Sequence, residues 1–130
     1  TFKNGRVVEA KARKGQQVLD DILATDDGAG RVGEIALVPH SSPISQSGLL
    51  FYNTLLDENA ACHIAIGRAY RFTLKDGEGM SSEQFAAAGG NESIVHVDFM
   101  VGSDQLDIDG LSKDGKAEPV LRKGEWAFKV

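Results

Sequence analysis

The run Ile94-Val95-His96-Val97-Asp98-Phe99-Met100-Val101 carries an imidazole and a carboxylate two residues apart. Side chains alternate across a strand, so His96, Asp98 and Met100 share one face. Val95, Val97, Phe99 and Val101 share the other, which reads as the buried one. At this spacing the Cα atoms of His96 and Asp98 lie about 6–7 Å apart. That suits two ligands on one metal ion, or one ligand on each of two close ions. An exposed polar strand face has the same pattern. His63 stands among Ala60, Ala61, Cys62, Ile64, Ala65 and Ile66, where a buried ring needs a carboxylate, a carbonyl or a metal for its nitrogens. A satisfied core histidine meets the same need. Glu34 opens the apolar run Glu34-Ile35-Ala36-Leu37-Val38, and a carboxylate entering a core is costly unless paired. A glutamate at a strand end that reaches solvent avoids that cost. Together Glu34, His63, His96 and Asp98 form a mixed oxygen and nitrogen set suited to zinc, cobalt or manganese.

Other chemistries find less support. Cys62 is the only cysteine, so it has neither a disulfide partner nor a companion thiolate for zinc; it reads as a small buried core residue. Ser41, Ser42 and Ser45 lie in no nucleophile-elbow sequence. The 15 glycines include neither a P-loop nor a dinucleotide fingerprint.

The elements that must position these residues are mostly short. Asn4-Gly5 predicts a hairpin turn between Phe2 and the run Arg6 to Ala10. Val18, Leu19, Ile22 and Leu23 predict a short helix after Gly15. Gly33 to Val38 reads as a strand ended by Pro39, and His40 to Gly48 as a loop. Leu49 to Leu56 fits helix or strand. Around Ala61 to Gly67 and Tyr70 to Leu74 the pattern continues as strand. Asp76-Gly77-Glu78-Gly79 is a turn, and Ser81 with Gln84 forms a capping box that starts a helix through Ala88. Leu106 to Ile108 and the segment after Asp114-Gly115 read as closing strands. The predicted fold is mixed α/β, rich in strand, a single domain with short helices.

Composition bounds the function. With 130 residues, 42% apolar and 25% charged, the chain can build one real core and is not disordered. A net charge of -5 with scattered basic residues argues against a nucleic-acid partner. No apolar run approaches the ~18 residues of a membrane span, and no secretory signal is present. The chain opens at Thr1 directly in a strand-like segment, as a processed form or excised fragment would.

The stretch Gly33-Glu34-Ile35-Ala36-Leu37-Val38-Pro39 is followed by Ser42-Pro43-Ile44. Then comes Phe51-Tyr52-Asn53-Thr54-Leu55-Leu56-Asp57-Glu58-Asn59-Ala60 with His63 and Tyr70, and finally His96-Val97-Asp98-Phe99-Met100-Val101-Gly102. In this order, over essentially the whole chain, the sequence resembles the thermophilic metallo-aminopeptidase family of aminopeptidase T, aminopeptidase S and PepS type. The resemblance implies that Glu34, His63, His96 and Asp98 occupy metal-ligand positions and Tyr70 that of an active-site tyrosine. It implies two divalent ions, zinc or cobalt, with manganese or magnesium possible, that hydrolyse N-terminal residues from peptides. Tyr70 would donate a hydrogen bond to the developing oxyanion. It also implies a cytoplasmic homodimer. Family members are much longer and carry a further ligand and the general-base glutamate upstream of these motifs. Residues 1–130 therefore correspond to the C-terminal ligand-bearing domain. Four residues under-coordinate two ions, each of which wants at least about three protein ligands. The isolated chain is expected to bind metal weakly and to have little or no peptidase activity. The alternative is a non-catalytic dimerisation or binding domain that retains the fold. For that role Leu49-Leu50-Phe51-Tyr52 is a candidate contact, although core is the first expectation for it.

Overall fold

A computed structural model describes residues 1–129. In chain order its elements are β1 (Phe2–Lys3), β2 (Arg6–Val7), α1 (Gln16–Leu23), β3 (Val32–Ala36), α2 (Pro43–Ser47), α3 (Thr54–Asp57), β4 (His63–Gly67), α4 (Ser82–Ala87), β5 (His96–Met100), β6 (Ile108–Leu111), β7 (Ala117–Arg122) and β8 (Glu125–Trp126). The mixed α/β expectation holds. The chain divides into two compact units, Thr1–Ile35 with Ile64–Phe99, and Ala36–His63 with the residues from Met100 onward.

In the first unit the Asn4-Gly5 turn closes as expected, both residues having positive φ (51° and 73°). That is the backbone a two-residue hairpin turn demands. It pairs Phe2 with Val7 and Lys3 with Arg6, although pairing stops at Val7 rather than continuing to Ala10. Helix α1 begins after a left-handed Gly15. Its residues Leu19 and Leu23 face a hollow also lined by Val7, Ile66, Val97 and Phe99. This hollow gathers the apolar face of β5, with Phe2 stacked on Phe99 at 6.3 Å. β4 lies between β3 and β5 in a three-stranded sheet.

The excursion between β4 and β5 departs from expectation. Tyr70 to Leu74 is not a strand: Tyr70 precedes a 3-10 turn over Arg71–Thr73. The Thr73 amide and hydroxyl both donate to the Tyr70 carbonyl, at 3.3 and 2.6 Å, which curls the backbone. Arg71 is meanwhile drawn onto the Met80 carbonyl, Ser82 and Glu92, its guanidinium over the Phe85 ring. The capping box is formed as predicted: Gln84 N donates to Ser81 Oγ, and Ser81 N donates to Gln84 Oε1. The β5 face expected to be buried is partly open instead. Phe99 is 38% and Val101 47% exposed, whereas the Asp98 side chain is 7% exposed.

In the second unit the predicted loop His40 to Gly48 contains α2. Ser42 Oγ accepts from Ser45 N at 3.1 Å and Pro43 supplies a pre-set φ at the first turn. Only five residues long, this helix lacks the periodicity that would announce it. Leu49 to Tyr52 is not core: Leu49, Leu50 and Tyr52 are 65%, 63% and 90% exposed. The Asp57 carboxylate accepts from the Phe51 and Asn53 amides at 2.8 and 2.9 Å. It thereby holds the intervening Tyr52 in the left-handed region at φ 55° and keeps the segment on the surface. Cys62 is buried as expected (2% exposed); its thiol contacts both the amide and the carbonyl of Val38 at 3.2 Å. β6, β7 and β8 form an antiparallel meander, with a bulge between Ile108 and Asp109 and the fully buried Leu121 on its central strand.

Candidate metal centre

Strand alternation decides which side chains meet in the first unit. Ile66, Val97 and Phe99 line one hollow, so Ala65 and Gly67 lie on the opposite face, that of His96 and Asp98. Across a central strand, about 10 Å separates the flanking backbones. The small, fully buried Ala65 on this face of the central strand leaves room for long side chains to converge above it. Glu34 on β3 and His96 on β5 do so, with Glu34 Oε2 3.6 Å from His96 Nε2. Asp98 Oδ1 lies 3.3 Å from the same nitrogen. Each of the three residues offers a ligand atom within 4.8 Å of the other two.

Two glycines permit this approach. A Cβ on Gly33 would lie 2.4 Å from the carbonyl oxygens of both Arg68 and Gly67, and one on Gly67 would lie 2.1 Å from the Val95 carbonyl. Gly67 also has φ +97°, a region open to glycine alone at little cost.

The imidazole of His96 is oriented by the backbone. Its Nδ1 is 2.7 Å from the Arg68 carbonyl, and a carbonyl can only accept. Nδ1 therefore carries the proton, and in the neutral ring the Nε2 lone pair faces the two carboxylates. Lone pair against carboxylate oxygens is repulsive unless a proton or a cation stands between them. Asp98 Oδ1 is buried and has no hydrogen-bond partner among the described residues. Its approach to Nε2 is an ion-pair distance without hydrogen-bond geometry. One imidazole nitrogen and two carboxylate oxygens, one of them orphaned, fit a divalent cation of the zinc, cobalt or manganese type. The backbone carbonyl behind the ring is the usual support of a metal-bound histidine.

Tyr70 stands on this cluster. Its ring lies 4.9 Å from that of His96, tilted by 47°, and 5.4 Å from Phe72, nearly parallel at 20°. His63 belongs to the second unit, 3% exposed, with Nδ1 3.0 Å from the Ala61 carbonyl. There Glu58 offers an oxygen within 4.8 Å of a His63 nitrogen. Glu58 was not among the sequence candidates; an acid five residues ahead of a buried histidine was the signal for it. His40 is bound to Ser45 instead, Nδ1 to Oγ at 3.4 Å.

The loop before β5 is held by Asp26. Its carboxylate accepts from Ile94 N (2.8 Å), Ser93 Oγ (2.9 and 3.0 Å) and Gly28 N (2.9 Å). The Ile94 amide is the main reason its pKa lies below the usual carboxylate value; partial burial opposes this, and Ser93 and Gly28 add to it.

Comparison with known proteins agrees with this chemistry. A family profile described as thermophilic metalloprotease (M29) matches residues 1–126. Aminopeptidase 2 of Geobacillus stearothermophilus is 56% identical over 130 residues, all of this chain and 32% of that protein. Aminopeptidase T of Thermus thermophilus is 52% identical over 125 residues, 96% of this chain and 30% of that protein. The solved structure of wild-type AmpT from Thermus thermophilus superposes with a TM-score of 0.86 at 51% identity, over 98% of this chain and 31% of that one. The chain thus spans about a third of the length of the curated relatives it matches.

Proposed function

We propose that this chain, which belongs to the thermophilic metalloprotease (M29) family, carries the C-terminal ligand-bearing domain of a di-metal aminopeptidase that removes N-terminal residues from peptides. The observation that carries the reading is the convergence of Glu34 and Asp98 on the Nε2 side of a histidine whose other nitrogen is tied to a carbonyl. In this reading Glu34, His96 and Asp98 hold a divalent ion, and His63 is a further ligand. Zinc or cobalt is the metal of first choice, two ions to the enzyme. When bound, such ions polarise a substrate carbonyl and lower the pKa of a water toward neutrality.

The chain's own residues have separate tasks. The Arg68 carbonyl keeps the His96 proton on Nδ1. Tyr70, packed on His96, donates its phenolic hydrogen to the oxygen that gains charge as the peptide carbonyl is attacked. A homodimer in the cytoplasm completes the reading, supported by the family resemblance. Among the described residues no helix is long and apolar enough to cross a membrane.

Titration calorimetry of the 130-residue chain with zinc and with cobalt tests the ligand assignment. Saturable binding that His96→Ala weakens by more than about 100-fold is expected, beyond what groups that merely orient a ligand carry. Equal binding by both proteins overturns the assignment. A chromogenic amino-acid amide should show little or no turnover by the chain alone, and efficient turnover would overturn that part.

One observation favours a second role. The exposed Leu49, Leu50 and Tyr52 suit a dimerisation or binding surface, and sedimentation of the chain with and without Leu50→Ser would reveal it.

A further inference from the structure

Behind His96 lies a polar network that the ligand set leaves unexplained. The segment preceding β5 takes its hydrogen bonds from side chains: Ile94 N donates to Asp26 Oδ2, and Val95 N donates to Ser93 Oγ at 3.1 Å. The Ser93 hydroxyl spends its own proton on the Asp26 carboxylate. Arg68 is strapped to this segment twice, Nε to the Ser93 carbonyl at 3.1 Å and N to the Val95 carbonyl at 2.7 Å. The peptide plane joining Arg68 to Ala69 is then fixed at both ends. Its N–H donates to the Asn91 carbonyl at 2.9 Å, and its C=O accepts from His96 Nδ1. The buried Asn91 amide ties the Gly28 and Gly67 carbonyls together at 2.8 and 2.5 Å. It thereby joins the Arg68 strap to the same Asp26 loop, where Gly28 N also meets the Asp26 carboxylate.

We propose that Asp26 is a positioning residue for His96: through Ser93, Ile94 and the Arg68 carbonyl it holds the imidazole with Nε2 toward Glu34 and Asp98. The inference rests on the reading of His96 as a metal ligand. Asp26 is suited to the task because one carboxylate satisfies three donors on two segments, Gly28 on one and Ser93 and Ile94 on the other. Without it, the buried Ser93 hydroxyl and the Ile94 amide ahead of β5 lose their acceptor. The strap that presents the Arg68 carbonyl then loosens, and the ring is free to exchange tautomers.

The test uses the 130-residue chain as wild type, Asp26→Asn, Ser93→Ala and Ser93→Thr. The first measurement is the long-range proton–nitrogen NMR correlation of the His96 ring without metal, at a pH where imidazole is neutral. Wild type and Ser93→Thr should show one tautomer with the proton on Nδ1; Asp26→Asn and Ser93→Ala should show a mixture. The second measurement is zinc affinity, expected to fall about tenfold in Asp26→Asn and to be kept in Ser93→Thr. A folded Asp26→Asn chain whose His96 stays locked on Nδ1 overturns the proposal, even if its zinc affinity falls. If Asp26→Asn does not fold, Asp26→Ser, too short to reach Ile94 and Ser93, decides; a folded chain of that variant with a locked tautomer overturns the proposal equally. If wild type takes up no zinc, the ligand reading fails while the tautomer measurement still judges Asp26.

Discussion

His96 and His63 meet the same requirement with carbonyls of different origin. Each ring places Nδ1 on a backbone oxygen, at 2.7 Å for His96 and 3.0 Å for His63. For His63 the oxygen belongs to Ala61, two residues back, on an extended stretch of chain (φ −161°, ψ 165°). For His96 it belongs to Arg68, 28 residues away, and it reaches the ring only because Asp26, Ser93 and Asn91 hold it there. A locally oriented ring depends on a few backbone dihedrals. A remotely oriented one depends on packing, close approach and charge, and so offers many more places to break.

Gly33→Ala should separate the two most strongly. Its Cβ would meet the Arg68 and Gly67 carbonyls at 2.4 Å, an overpacking that costs about 1–3 kcal/mol, read from urea melts. His96 should lose its single tautomer while His63 keeps its own. Acid should have a smaller effect of the same kind. The Asp26 pKa lies below the usual carboxylate range, chiefly through the Ile94 amide. Its stabilising contribution is therefore present above the ordinary carboxylate pKa and is lost as pH falls through the depressed value. Thermal melts from about pH 5 down to about pH 2.5 should show a steeper decline for wild type than for Asp26→Asn; parallel declines would remove Asp26 from the account. Ser81→Ala should have the least effect on either ring. Loss of the cap costs about 1 kcal/mol of stability in the same melts, and both tautomers should persist.

The same contrast explains what could be read from the sequence. The Asn4-Gly5 turn, helix α1 with Leu19 and Leu23 of its stripe facing inward (Val18 stays exposed), the Ser81–Gln84 box and the buried His63 and Cys62 are set by neighbours within a few positions. Glu34, His96 and Asp98 were legible as ligand types, and the structure gathers them. The means of gathering was hidden, because it lies in Gly33, Ala65 and Asp26, whose roles exist only once strands are paired. Tyr70 to Leu74 misled because its apolar and aromatic residues fit a strand, while the Thr73 hydroxyl, folding back on the Tyr70 carbonyl, made it a turn. Leu49 to Tyr52 misleads because hydrophobicity there does not bring burial. The Asp57 carboxylate, holding two of the segment's amides, keeps it outside.

Gly33 and Gly67 carry a consequence for descent. If His96 and Asp98 hold a metal as proposed, a copy of this gene released from selection for that binding is free to exchange either for other residues of similar size. It is not free to exchange either glycine, because any Cβ there strikes a backbone carbonyl of an adjacent segment. Inactive descendants should thus lose the imidazole and the carboxylate first and keep the two glycines longest. In such lineages the residues without side chains would outlast the chemistry they once made room for.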